Sequence, residues 1–266
     1  MSRFLYISPL RVDGREFTEI EQSAMAPGNE LTAIGFKRGP RHLEYHYYET
    51  LVLPDLVRSI AAAEEQAYDA AIIGCFYDFG LEEGREISNR IVVTAPCESS
   101  LLLAASLGHT FSIIVGRQKW IPQMHGNVEK YGFGPRLTSF ETLGFGVPDY
   151  HKDERETARR FLACGRRAIE KGAEVLILGC TASAGFYRYL QDELGVPVID
   201  SALAAVKRAE HLVEMRDRFG WGTSKIFGYE APPEREIAEY GLADAYEPRD
   251  VIEIWQTAPV LERVGA

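Results

Sequence analysis

The chain has 266 residues, enough to bury a full core as one large domain or two small ones. A formal net charge of -10, spread along the chain, excludes the basic stripe that a nucleic-acid groove needs. With 46% hydrophobic and 26% charged residues the composition is globular, yet no apolar run reaches the roughly 18 to 20 residues that cross a bilayer.

Four cysteines in so long a chain, with no secretory pattern at its start, predict reduced thiols in the cytoplasm rather than a disulfide framework. Short apolar strands alternate with amphipathic helices. Strands are predicted over residues 4–8 and 31–36, then a helix over 51–68 with Leu56, Ile60, Ala63 and Ala67 on one face. Strands follow at 71–75 and 91–94. Pro96 and Glu98 open a helix that Gly108 can end.

The pattern then restarts. Strands are predicted at 111–115 and 136–140. A helix at 154–171 carries Ala158, Phe161, Leu162, Gly165 and Ile169 on its apolar face. Strands at 175–178 and 196–199 complete the set, and Ser201 can cap a helix bearing Leu203, Val206, Ala209 and Val213. The tail from Gly220 holds Trp221, Ala231-Pro232-Pro233 and a short helix near residues 234–240, and has no counterpart in the pattern.

The two halves repeat at one offset. Leu31 to Arg136, Cys75 to Cys180 and Ile91 to Val196 are each 105 residues apart. Equal offsets indicate duplication. The fold class is therefore α/β, with two pseudo-symmetric lobes, each a parallel sheet flanked by helices, and an active site in the cleft between them. Residues 1–97 and about 201–266, with the C-terminal extension, form the first lobe; residues 98–200 form the second.

Two segments stand at equivalent strand ends: Ala71-Ile72-Ile73-Gly74-Cys75 and Val175-Leu176-Ile177-Leu178-Gly179-Cys180. Ligands of parallel sheets sit beyond the carboxyl ends of strands. A thiolate there, beside unpaired N–H groups of a helix start, has a lowered pKa. Thr181 and Ser183 can cap the helix that ends at Gly195, and Asp78 can cap a short helix through Leu81 and Ile87. The same amides can hold a carboxylate or imide oxygen. Two thiols facing a carbon acid can invert it: one removes the proton and the other returns one on the opposite face, with no cofactor. The bland alternative is packing, since unpaired cysteine is among the most buried residue types. It fits Cys164, within a helix, and is also the better reading of Cys97 beside Pro96, for which lining the site is the lesser alternative.

At these residues the chain resembles the Asp/Glu/hydantoin racemase superfamily, and its hydantoin/allantoin racemase branch most. Gly74-Cys75-Phe76-Tyr77-Asp78-Phe79-Gly80-Leu81 is similar to that branch's Cys-Phe-x-Asp-Pro-Gly-Leu. Residues 98–111 resemble its crossover helix. Leu178-Gly179-Cys180-Thr181 with Leu194-Gly195-Val196-Pro197-Val198-Ile199-Asp200 resembles its second half, and Gly39-Pro40 leading to Tyr47-Tyr48-Glu49 its early substrate-side segment. The resemblance implies cofactor-independent racemisation, with Cys75 and Cys180 as the acid–base pair. It implies a small-molecule substrate, first a 5-substituted hydantoin or allantoin-like ring and second an amino-acid-like acid. A homo-oligomer is expected, with no nucleic-acid or membrane partner.

Two departures bear on substrate contacts. Ser8-Pro9-Leu10 stands where the branch has Asn-Pro-Asn, and Val115-Gly116 where it has a Thr pair. The candidate substrate-binding set is Ser8, Tyr48, Phe76, Asp78, Val115, Gly116, Thr181 and Ser183.

Other constellations are weaker. His42 and His46 have a spacing that can hold zinc on a helix, but no third ligand is obvious. Arg117-Gln118-Lys119-Trp120 can bind an anion but reads better as a solvated loop, and no phosphate loop or nucleophile elbow is present. Rival chemistries are decarboxylation, which needs one thiol, and cis–trans isomerisation of an unsaturated diacid through a nucleophilic cysteine. A non-catalytic binding protein is the rival of another class.

Overall fold

The computed structural model describes residues 1–12, 20–242 and 251–256, with the backbone alone for Ile20 and for residues 251–256. The chain divides into two compact units: residues 1–74, 79–94 and 206 onward, and residues 75–78 with 95–205.

The first unit holds β1 (Arg3–Arg11), α1 (Ile20–Ala24), β2 (Glu30–Phe36), α2 (His46–Glu65), β3 (Ala70–Ile73), α3 (Leu81–Ile87) and β4 (Val92–Thr94). The second holds α4 (Pro96–Leu107), β5 (Phe111–Val115), α5 (Ile121–Lys130), β6 (Leu137–Thr142), α6 (Glu154–Glu170), β7 (Val175–Leu178), α7 (Tyr187–Leu194) and β8 (Val198–Asp200). Helix α8 (Ser201–Phe219) begins in the second unit and passes to the first, which α9 (Glu234–Glu239) and β9 (Val251–Gln256) complete.

The sheet orders are β4-β3-β1-β2-β9 and β6-β5-β7-β8. All neighbours are parallel except β9, which runs antiparallel to β2. Counted within each unit, the four parallel strands take the same order, second-first-third-fourth, so the repeat in sequence is a repeat of topology. The central strands β3, β5 and β7 are buried throughout, as expected of parallel strands covered on both faces. Leu56 and Ile60 of α2 are fully buried in the first core, each worth about 1.5 to 3 kcal/mol.

Several elements differ from the sequence expectation for local reasons. Helix α2 starts at His46 and stops at Glu65, because Ala67 adopts a left-handed φ of 59° and Tyr68 donates back to the carbonyl of Ala63. The buried stripe of α6 is Thr157, Phe161, Cys164, Gly165 and Ala168, rotated from the expected face. Thr157 is tolerated inside because its hydroxyl donates to the carbonyl of Tyr150 at 2.8 Å, and Cys164 because its thiol donates to Thr142 at 3.3 Å. Strand β8 starts two residues later than expected, at Val198. The cap of α8 is Asp200, which accepts from the amides of Ala202 and Leu203, rather than Ser201.

The tail is fastened to the first unit. The Lys225 ammonium donates to the carbonyls of Arg85 and Glu86 at the end of α3, and β9 closes the edge of β2. Among the described residues, no helix is long and apolar enough to cross a membrane.

Candidate active site

In a sheet ordered second-first-third-fourth, the strand order reverses between the first and third strands, and ligands bind beyond their carboxyl ends at that point. In the first unit this point lies between β1 and β3, where Ile7 pairs with Ile73 and is followed by Ser8 and Gly74 respectively. In the second it lies between β5 and β7, where Ile114 pairs with Leu178 and is followed by Val115 and Gly179. Both glycines continue the ladder by one bond. Gly74 N–H donates to the Ile7 carbonyl and Gly179 N–H to that of Ile114, each at 2.8 Å.

Each glycine then delivers a cysteine into a tight turn. The amide of Asp78 closes on the Cys75 carbonyl at 3.1 Å, and the amide of Ser183 closes on the Cys180 carbonyl at 3.0 Å. Cys75 through Asp78 group with the second unit, so both cysteines belong to it. All four cysteines carry reduced thiols. Cys75 and Cys180 are half-buried, whereas Cys97 and Cys164 are buried. Burial, helped by the charges of Asp78 and Glu98, pushes the Cys97 thiol up, so this residue stays protonated and packed. That burial agrees with packing, the better reading of Cys97 from the sequence.

The Cys75 turn is pinned from two helices. One oxygen of Asp78 accepts the Cys97 amide at 2.8 Å; the other accepts the Glu98 amide at 2.8 Å and the Tyr131 hydroxyl at 2.9 Å. Asp78 therefore caps α4, twenty residues on, and not α3, whose N-cap is Gly80. Asn127 of α5 donates to the carbonyl of Tyr77 at 2.6 Å. Burial pushes the Asp78 carboxyl up to about 7, against the pull of its three donors. Its backbone φ of 53° is left-handed, an uncommon setting that marks a constrained position.

The Cys180 turn is pinned differently. Thr181–Ser183 forms a single 3-10 turn, and α7 begins only at Tyr187. Gly185, with φ at 94°, redirects the chain between them, so Thr181 and Ser183 do not cap α7. Ser183 turns its hydroxyl onto the Cys180 carbonyl. Gly185 N–H donates to Asp200 at 3.4 Å. His151 donates from Nε2 to the carbonyl of Ala182 at 2.8 Å and stacks on Phe186.

The remaining expected contacts have distinct places. Ser8 is buried within β1, just beyond its last pair with β3, and its hydroxyl has no hydrogen-bond partner among the described residues. Leaving such a group unpaired costs about 1 to 3 kcal/mol, which a ligand acceptor would relieve. Val115 is fully buried, and Gly116 lies under the indole of Trp120 and the carbonyl of Phe145. Trp120 is thereby buried, so the segment expected as a solvated loop is anchored at its end. Phe76 is buried, and Thr181 is half-buried. Tyr48, on α2 in the first unit, packs against the rings of His42, Tyr45 and Tyr47. His46 opens α2 while His42 precedes it, so the pair does not share a helical face. Among the described residues no group of three or more His, Cys, Asp or Glu is placed to hold a metal.

Asn127, Tyr131 and His151 escape a reading by motif. The four-residue spacing of Asn127 and Tyr131 along one helix face was the available signal for the first two.

Comparison with known proteins agrees with this architecture. The Asp/Glu/Hydantoin racemase family model matches residues 15–209. A hydantoin racemase of Pseudomonas sp. (strain NS671) is 35% identical over 216 residues, covering 81% of this chain and 85% of that protein. A hydantoin racemase of Paenarthrobacter aurescens is 36% identical over 217 residues, covering 81% of this chain and 90% of that protein. The structure of an allantoin racemase from Klebsiella pneumoniae superposes with a TM-score of 0.78 at 26% identity, over 88% of this chain and 94% of that one.

Proposed function

Since the chain belongs to the Asp/Glu/hydantoin racemase family, we propose that it racemises a 5-substituted hydantoin or allantoin-like ring by proton exchange between Cys75 and Cys180. One cysteine, as thiolate, takes the proton from the carbon beside the carbonyl and becomes a thiol. The electron pair left behind spreads into the carbonyl as an enolate. The other cysteine, as thiol, protonates the opposite face and becomes the thiolate. One proton enters and one leaves, so no redox partner is required.

The observation that carries this reading is the repeated turn. Two Gly-Cys strand ends, 105 residues apart, make the same ladder bond and the same closing bond, and only these two cysteines are half-buried. A thiol suits the step because its ordinary pKa near 8.5 lies close to neutrality. Amides following each cysteine would hold the substrate carbonyl as charge develops on it.

The test uses each pure enantiomer of 5-benzylhydantoin in D2O, with optical rotation and deuterium uptake followed in parallel. Cys75→Ser and Cys180→Ser are each expected to abolish racemisation while each still exchanges one enantiomer. Racemisation that survives in both variants overturns the reading.

A further inference from the structure

We propose that Asp78 and Asp200 are positioning residues, one for each cysteine, that tie the cysteine-bearing turn to the start of the helix following the fourth strand of each half. The inference rests on the two-cysteine reading above and extends it to the residues that hold the cysteine-bearing turns.

The amides of Cys97 and Glu98 at the start of α4 are held by Asp78, and those of Ala202 and Leu203 at the start of α8 by Asp200. Cys97 to Ala202 and Glu98 to Leu203 are each 105 residues, the repeat of the chain. The carboxylates themselves do not correspond. The counterpart of Asp78 at that offset is Ser183, and the counterpart of Asp200 is Ala95. The two halves thus present a buried carboxylate to equivalent amides from different points in the chain.

A cap alone does not need this. Asp153 caps α6 locally and in solvent, accepting the Glu156 amide at 3.0 Å. Ala95, the N-cap residue of α4, has no side-chain acceptor, and the cap comes instead from within the Cys75 turn. Burying a carboxylate is costly, and both carboxyls are pushed up by burial. What each gains is a link. Asp78 closes the turn on Cys75 with its own amide while its side chain grips α4 and Tyr131. Asp200 grips α8 and the Gly185 amide that ends the Cys180 turn.

The experiment compares Asp78→Ala, Asp78→Asn, Asp200→Ala and Asp200→Asn in the full chain. Cys75→Ser and Cys180→Ser first assign which enantiomer of 5-benzylhydantoin each sulfur deprotonates. Deuterium exchange is then measured from each enantiomer, and iodoacetamide labelling is read cysteine by cysteine by peptide mass spectrometry. Asp78→Ala is expected to slow exchange from the Cys75 enantiomer about ten-fold, at constant KM, and to alter Cys75 labelling while sparing Cys180. Asp200→Ala does the converse, and each Asn variant, which keeps an acceptor, recovers part of the loss. Labelling of Cys97 or Cys164, both buried, flags an unfolded Ala variant, and the Asn pair then decides by the same selectivity. Equal loss at both sulfurs, or no loss, overturns the inference. Should Cys75→Ser and Cys180→Ser leave racemisation intact, the two-cysteine reading itself fails, a separate and recognisable result.

Discussion

Gly74 lies against Tyr6 so closely that a Cβ on the glycine would stand 2.7 Å from Cε1 of the ring and 2.9 Å from the carbonyl oxygen of Ile7. Gly179 is confined in the same way, with Ile113 Cγ2 at 2.7 Å and the Ile114 carbonyl oxygen at 3.1 Å. The glycine before each cysteine is therefore required by the strand beside it. Gly74→Ala and Gly179→Ala are each expected to cost about 1 to 3 kcal/mol in urea denaturation and to lower activity further by displacing the cysteine. Gly222→Ala, with nothing within 4 Å, is the control and should be neutral. Unchanged stability in both strand-end variants would contradict this packing.

The Asp78 carboxyl sits at about 7 when folded, well above its ordinary 3.8. The folded chain thus holds a proton that the unfolded chain releases between those values. Stability from this group is full below pH 4 and falls by roughly 4 kcal/mol as pH rises to 7 and beyond. The groups facing it are Cys97 and Glu98 on α4 and Tyr131 after α5. Asp78→Asn removes the slope, so its stability relative to the parent should climb from pH 4 to 7 and level off above 8. A difference that stays flat across that range contradicts the assignment.

Glu141 titrates in the opposite sense. Burial raises its carboxyl, but Lys171, Ser139 and Arg167 donate to it and hold it below its usual range. Its stabilisation is present above its unfolded pKa and is lost as pH falls through the folded value. Glu141→Gln is expected to cost roughly 1 to 3 kcal/mol at pH 7, by denaturant titration, and progressively less as pH is lowered below the ordinary carboxylate range.

Strand β9 covers the outer edge of β2. A chain ending at Gly220 leaves that edge unpaired, and unpaired edges recruit other chains. Light scattering of the truncated protein should show self-association beyond that of the full chain. An unchanged particle size would mean that β2 needs no cover.

Much of the sheet framework can be read from residues alone, because parallel strands buried on both faces are short apolar runs such as Val175–Leu178. The shared offset exposed the duplication for the same reason. Strand β9 could not be placed, since its partner β2 lies far away in sequence and pairing on an edge leaves no periodic mark. The link from Asp78 to Cys97 spans 19 residues, so a local cap rule sends Asp78 to α3 instead. The α6 stripe shifted because Thr157 and Cys164 found carbonyl acceptors, which hydrophobic periodicity does not register. The repeated Gly-Cys ends on which the proposal rests were visible in the sequence, whereas Asn127, Tyr131 and His151 act through single bonds to backbone or carboxylate.

The most direct measurement is whether one short reagent can join the two proposed sulfurs. Dibromobimane carries two bromomethyl arms a few ångströms apart and fluoresces strongly once both have alkylated thiols. Native protein should yield a single fluorescent peptide pair linking Cys75 to Cys180, and 5-benzylhydantoin should slow its formation. Separate single adducts on Cys75 and Cys180, with no bridge between them, would contradict a shared substrate.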